Sequence, residues 1–235
     1  HGVFRRQRQM CIRDSSDALA VSFDNNIGHD YLLNYEERYE YYHKKEDKIE
    51  FDLEYFNKIT KGGLPNKTLN IALAGTGVGK SLFMCHHASS VLLQGRNVLY
   101  ITMEMAEEKI AERIDANLLN VPIQDLTDLP KPMFDKKVTN LSKKTQGQLI
   151  IKEYPTASAH SGHFKTLLNE LSLKKSFRPD IIFVDYLNIC ASSRYKANSG
   201  VNSYSYIKAI AEELRGLAVE ANVPIVSATQ TLSLI

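Results

Sequence analysis

The sequence predicts an α/β protein whose mainly parallel sheet is covered by helices on both faces. Three observations carry that prediction. Near-continuous apolar runs recur at residues 69–73, 98–103, 148–153, 181–184 and 224–228, the pattern of strands buried on both faces. Segments of helical spacing lie between them, so successive strands connect by crossovers and run parallel. A chain of 235 residues with 43% hydrophobic and 24% charged content can bury one sizeable core.

The elements follow in order. Residues 1–15 carry Arg5, Arg6, Arg8 and Arg13 and resemble translated adapter sequence at the edge of an assembled fragment; residues 232–235 look alike in origin. Both are set aside from fold reasoning. The alternative for the first stretch is a basic arm for nucleic acid. Residues 16–50 are predicted as a linker that ends in a helix. Leu32, Tyr35, Tyr39 and Tyr42 fall three and four apart, one stripe on a charged segment. That stripe fits docking on a neighbouring subunit or folding back on its own domain, and the pattern does not choose. The main domain is expected over residues 51–231. A short helix over 51–59 leads to Gly62-Gly63 and the first strand. Helices are then predicted over 82–93, about 106–119, from the Pro-bounded stretch 122–132 to Lys144, and about 162–175. A polar loop over 192–202 precedes a helix carrying Ile207, Ile210, Leu214 and Leu217 in register.

Between the first strand and its helix stands Ala74-Gly75-Thr76-Gly77-Val78-Gly79-Lys80-Ser81. Strand, Gly-rich turn, Lys-Ser and helix form the context that a phosphate-binding P-loop requires. Glycines let successive N–H groups converge on phosphate oxygens while the new helix offers the positive end of its dipole. Lys80 would reach the β- and γ-phosphates, and the Ser81 hydroxyl would ligate Mg²⁺. Ala74 replaces the first glycine of the motif, a mild change because alanine is small.

Phosphoryl transfer also needs a metal support and a group that orients water. Ile181-Ile182-Phe183-Val184-Asp185 is an apolar strand ending in aspartate, a Walker B pattern, so Asp185 would hold Mg²⁺ through its water shell. Tyr186 follows where many such enzymes place a glutamate, so the base must come from another strand end. Tyr100-Ile101-Thr102-Met103-Glu104-Met105 puts Glu104 at such an end, where a carboxylate can accept a proton from water. The competing reading is a charge that stabilises the next helix dipole. Gln230 closes the last strand, and a neutral amide there can sense a γ-phosphate.

Together these pieces resemble the RecA-like motor domain of the DnaB-type hexameric replicative helicases, most of all the T-even-phage branch. The resemblance spans about residues 35–231. Its carriers include Tyr39-Glu40-Tyr41-Tyr42, Thr60-Lys61-Gly62-Gly63, the P-loop and Met103-Glu104-Met105-Ala106-Glu107-Glu108. Arg113-Ile114-Asp115-Ala116-Asn117, Val184-Asp185-Tyr186-Leu187 and Ala211-Glu212-Glu213-Leu214-Arg215 extend it in the same order. It implies a RecA-like P-loop NTPase core preceded by a linker helix, with ATP and Mg²⁺ as cofactors. It further implies a homo-hexamer that moves 5′→3′ on single-stranded DNA, and primase and a helicase loader as partners of the longer protein. Glu104 is then the catalytic base, with Lys80 and Gln230 completing the catalytic set. Arg194, Tyr195, Lys196, Asn198 and Ser199 would track the DNA backbone, where two cations and an aromatic ring have a rationale. Without the resemblance the same loop reads equally well as solvated surface. The resemblance also places an arginine that acts in trans beyond Gln230, so this length is expected to hydrolyse nucleotide only feebly.

Other function classes fit less well. A net charge of +2 announces no nucleic-acid binding in bulk, so any such site is local. Cys11, Cys85 and Cys190 are far apart and without metal spacing, as in a reducing cytoplasm, here that of an infected host if the source is a phage. No apolar run reaches membrane-spanning length. A RecA- or RadA-type recombinase, or a nucleotide-binding assembly module without catalysis, remain the alternatives.

Overall fold

The computed structural model describes residues 28–44, 46–195 and 200–230. The expected terminal artefacts, residues 16–27 and 45 of the linker stretch, and Lys196, Asn198 and Ser199 therefore lie outside the described residues. The chain divides into two compact units, residues 1–46 and 47–235.

In the first unit, α1 spans Tyr35–His43. Asp30 starts it: its Oδ1 accepts from the N–H groups of Leu32 and Leu33 at 3.0 and 2.9 Å, and its carbonyl from that of Asn34 at 3.0 Å. This turn holds Leu32 outside the helix, although the stripe begins there. No residue of α1 is buried.

The second unit is the α/β domain. β1 (Lys48–Ile49) pairs antiparallel with β2 (Leu64–Pro65), and α2 (Glu54–Thr60) lies between them in sequence. The sequence placed this helix from residue 51. It starts later because Asn57 captures the backbone of Phe51, accepting from its N–H at 2.8 Å and donating to its carbonyl at 2.6 Å. β3 (Leu69–Ala74), β4 (Val98–Thr102), β5 (Leu149–Glu153), β6 (Ile181–Asp185) and β7 (Ile225–Gln230) form the main sheet. Its order is β3-β7-β6-β4-β5, and every pairing is parallel. Helices α3 (Lys80–Leu93), α4 (Glu107–Leu118), α5 (Lys131–Ser142), α6 (Ser161–Lys175) and α7 (Ser203–Ala221) connect the strands.

Strand periodicity divides the core. Leu99, Ile101, Ile182 and Val184 pack with Phe164 and Leu171 of α6 and with Ile210, Leu214 and Leu217 of α7. Val98, Tyr100, Ile181 and Phe183 pack on the other face with Met84, Ala88 and Val91 of α3 and with Ile110 and Ile114 of α4. Alternate side chains of one strand thus feed opposite helix layers. Full burial of each large aliphatic side chain contributes roughly 1.5–3 kcal/mol, so β4 and β6, buried along their whole length, anchor the fold.

α5 begins at Lys131, at the end of the Pro-bounded stretch that was expected to precede this helix. Pro132 falls in its first turn, where no helical partner awaits the missing N–H, so the residue is accommodated there.

Candidate functional site

The carboxyl ends of the strands meet at one edge. In register, Ala74 of β3 stands opposite Gln230 of β7, and Thr102 of β4 opposite Asp185 of β6. β3 runs directly into the Gly-rich turn. Gly77 and Gly79 adopt φ values of 75° and 102°, a left-handed region that favours glycine. Gly79 is the N-cap of α3, so the turn ends on free helix N–H groups and the positive end of a 14-residue dipole. Lys80 Nζ donates to the carbonyls of Gly75 and Ala74 at 2.7 and 3.3 Å, which keeps the ammonium at the turn.

One residue on, Ser81 Oγ donates to Asp185 Oδ1 at 3.2 Å. Asp185 is fully buried. Its second oxygen accepts from the Tyr100 hydroxyl at 2.9 Å. Burial pushes the Asp185 carboxyl above the usual carboxylate range; the Ser81 and Tyr100 hydrogen bonds and the charges of Arg113 and Lys80 oppose it.

Glu104 stands two residues beyond β4 in a turn that is fixed on several sides. Thr102 Oγ1 donates to the carbonyl of Met105 at 2.7 Å and accepts from its N–H at 3.2 Å. Met103 N–H donates to the carbonyl of Asp185 at 3.0 Å, and Thr156 Oγ1 to the carbonyl of Met103 at 2.7 Å. The Glu104 side chain is exposed at this turn. Partial burial, then the Asp185 charge, raises its carboxyl, while Lys80 and Arg113 pull it down. Glu104, Asp185, Lys80 and Arg113 thus share one electrostatic neighbourhood. A carboxylate held near cations but raised in pKa can take a proton from water.

β7 is fastened beside them. Ser227 Oγ donates to the carbonyl of Val184 at 2.7 Å, and Thr229 Oγ1 to Asn188 Oδ1 at 2.6 Å. Gln230 follows, half-buried. Lys80, Ser81, Glu104, Asp185 and Gln230 therefore all lie along the same edge of the sheet.

The root of the polar loop is held by α7. Glu213 accepts from Ser192 Oγ at 2.7 Å, from Ser161 Oγ at 3.1 Å and from Ser193 N–H at 3.0 Å. Burial pushes its carboxyl up, but these hydrogen bonds outweigh burial and leave it below the usual range. Ser192 Oγ accepts from the N–H groups of Arg194 and Tyr195 at 3.1 and 3.4 Å, and the Arg194 guanidinium pairs with Glu212 at 2.5 Å. Arg194 is thus already paired, a feature the sequence pattern does not reveal.

The donor set fits a nucleotide-borne Mg²⁺. Among the described residues no group of three or more His, Cys, Asp or Glu side chains forms a metal cage. One hydroxyl and one carboxylate beside a phosphate cradle match the way Mg²⁺ keeps waters and shares substrate phosphates. Tyr100, Arg113 and Glu213 stand in sequence blocks quoted above but were given no role there. For Tyr100 a signal existed: a tyrosine inside a buried strand needs a partner for its hydroxyl.

Residues 49–233 match the family model for the DnaB-like helicase C-terminal domain. The chain is 50% identical over 216 residues to a DnaB-like replicative helicase of Enterobacteria phage T4, covering 91% of this chain and 45% of that protein. It is 31% identical over 166 residues to a probable plasmid replicative DNA helicase of Chlamydia trachomatis, covering 68% of this chain and 34% of the relative. The chain thus spans less than half the length of these relatives. Among solved structures, an ATPase domain superposes with a TM-score of 0.66 at 16% identity, covering 86% of this chain and 70% of that one. A DnaB-like replicative helicase, solved to show its interactions with primase, gives 0.65 at 15% identity, covering 96% and 54%. The parallel sheet and its helix layers are those of a RecA-like ATPase core. The chain belongs to the DnaB-like helicase C-terminal domain family.

Proposed function

We propose that this chain is the motor domain of a phage-type replicative DNA helicase, which couples ATP hydrolysis to 5′→3′ movement on single-stranded DNA and duplex unwinding. The observation that carries the reading is the hydrogen bond from Ser81 of the P-loop to the buried Asp185, with Glu104 beside it. Lys80 binds the β- and γ-phosphates, and the backbone of residues 74–81 surrounds them. Ser81 and Asp185 hold Mg²⁺, which when bound neutralises charge on the transferred phosphoryl group. Glu104 takes a proton from the attacking water, and Gln230 hydrogen-bonds the γ-phosphate before hydrolysis but not after it. Arg194 and Tyr195, with Lys196, Asn198 and Ser199, contact the DNA strand. A DnaB-like replicative helicase solved with its interactions with primase supports primase as a partner of the longer protein; a homo-hexamer and a loader complete the reading.

The test is fluorescence anisotropy of a labelled oligothymidine titrated with the protein, with Mg²⁺ and with or without a non-hydrolysable ATP analogue. Binding that needs the analogue, and is competed by single-stranded but not duplex DNA, is the expected result. Analogue binding without any DNA binding, persisting in a version extended at both ends, would remove DNA as the ligand.

A further inference from the structure

The Walker B carboxylate is held from behind by residues that the P-loop reading does not use. Tyr100 lies in the middle of β4, fully buried, and its ring stacks on Phe183 with centroids 5.7 Å apart and planes 13° from parallel. That stack fixes the ring, and the hydroxyl donates to Asp185 Oδ2 at 2.9 Å. The phenol is in turn supported by the Cys85 thiol, 3.8 Å from the Tyr100 oxygen. Cys85 and Ser81 stand four residues apart on α3, and so share one helix face. One helix therefore reaches both oxygens of the same carboxylate, directly through Ser81 and indirectly through Cys85 and Tyr100. A carboxylate that accepts one hydrogen bond on each oxygen has no freedom to rotate, and hydrogen bonds in series strengthen one another at low dielectric.

We propose that Tyr100 is a positioning residue for the metal–nucleotide site. It orients Asp185 so that Oδ1 faces Ser81 and the water shell of Mg²⁺, and Cys85 orients Tyr100. Phenylalanine at this position would preserve packing and lose only the orienting bond. The inference rests on the nucleotide-site reading above, and the experiment separates the two.

Mn²⁺ binding to the full chain is measured by electron paramagnetic resonance of the free ion, with a non-hydrolysable ATP analogue present. Affinity for the analogue alone is measured in parallel in EDTA. For Tyr100→Phe the expected result is Mn²⁺ binding about tenfold weaker, the low end for loss of a group that orients a metal ligand. Analogue affinity in EDTA stays within about twofold of wild type, because the P-loop contacts are untouched. Cys85→Ser, which retains a donor, binds Mn²⁺ as wild type does. Equal Mn²⁺ affinities in wild type and Tyr100→Phe overturn the proposal. A Tyr100→Phe protein that fails to fold loses the EDTA affinity as well. Cys85→Ala then decides, with Mn²⁺ binding about two- to threefold weaker expected from loss of one weak supporting bond, and no change overturning the role. Wild-type protein that binds no analogue under either condition overturns the nucleotide site itself, and the Tyr100 role with it.

Discussion

His87 is 1% exposed, and neither ring nitrogen has a hydrogen-bond partner among the described residues. It stacks on Phe51 with centroids 4.3 Å apart and meets Phe183 edge-on at 5.5 Å. Burial lowers its pKa to about 4, with Asp52 opposing and His86 assisting. The folded protein therefore keeps this ring neutral where the unfolded chain, near 6.5, takes up a proton. Its contribution is fully present above pH 6.5 and is lost as pH falls from there toward 4. The loss amounts to about 3 kcal/mol, from about 1.4 kcal/mol for each pKa unit. Urea unfolding at about pH 7 and about pH 4.5 should show His87→Phe, which keeps the aromatic stack, losing less stability between the two pH values than wild type. An equal loss would place the acid sensitivity elsewhere. Glu104 makes a different residue-scale prediction. Glu104→Gln removes the proposed proton acceptor but not the turn, which Thr102, Met103 and Thr156 hold. In a protein of full helicase length, phosphate release should fall at least ~100-fold while fluorescent-nucleotide binding persists. Unchanged turnover would revive the reading of Glu104 as a helix-dipole charge.

At the scale of elements, the β1–β2 pair depends on one glycine. Gly63 has φ +115°, and a Cβ there would collide with the carbonyl oxygen of Ile49. That oxygen is backbone of the partner strand and cannot swing away. Gly63→Ala should cost about 1–3 kcal/mol from the strained φ alone, more once the contact is added, and should speed amide exchange at Ile49 and Leu64. Unchanged exchange at both would show that the pair is not held there. The same pair shows why some elements were legible in the sequence and others not. The strands of the main sheet stand out as runs rich in apolar residues, most of all β4 and β6, which are buried along their whole length, whereas β3 leaves Ile71 and Leu73 exposed. β1 and β2 have two residues each and no period to read. Asn57 displaces the start of α2 through a side chain six residues away, and Asp30 does the like for α1. The P-loop, Asp185 and Glu104 were legible because their chemistry demands particular residue types at strand ends. Tyr100 was missed, since within β4 it reads as one more apolar position unless a partner is sought for its buried hydroxyl, which reaches β6.

For the whole molecule, the two units differ in how they are held. Residues 47–235 enclose cores on both faces of the sheet, whereas α1 has no buried residue and leaves Tyr35, Tyr39, Tyr41 and Tyr42 between 59% and 71% exposed. Isolated helices of nine residues are marginal in water, so α1 gains little from its own hydrogen bonds. Four exposed tyrosines on such a helix are large, stiff, amphipathic contacts of the kind enriched in the buried centres of protein interfaces. Docking on a neighbouring subunit is one of the two arrangements that the stripe's spacing allows, and it predicts the behaviour of a shortened chain. A chain shortened to begin at Asp47 should then melt within about 2 °C of the full chain, because among the described residues the deletion removes no core side chain. It should bind the ATP analogue with unchanged affinity and yet show a smaller mass at matched concentration by mass photometry. If the shortened chain assembles as the full chain does, the tyrosine stripe has another use. If it instead melts far lower, α1 folds back on its own domain, the second of the two arrangements that its spacing allows.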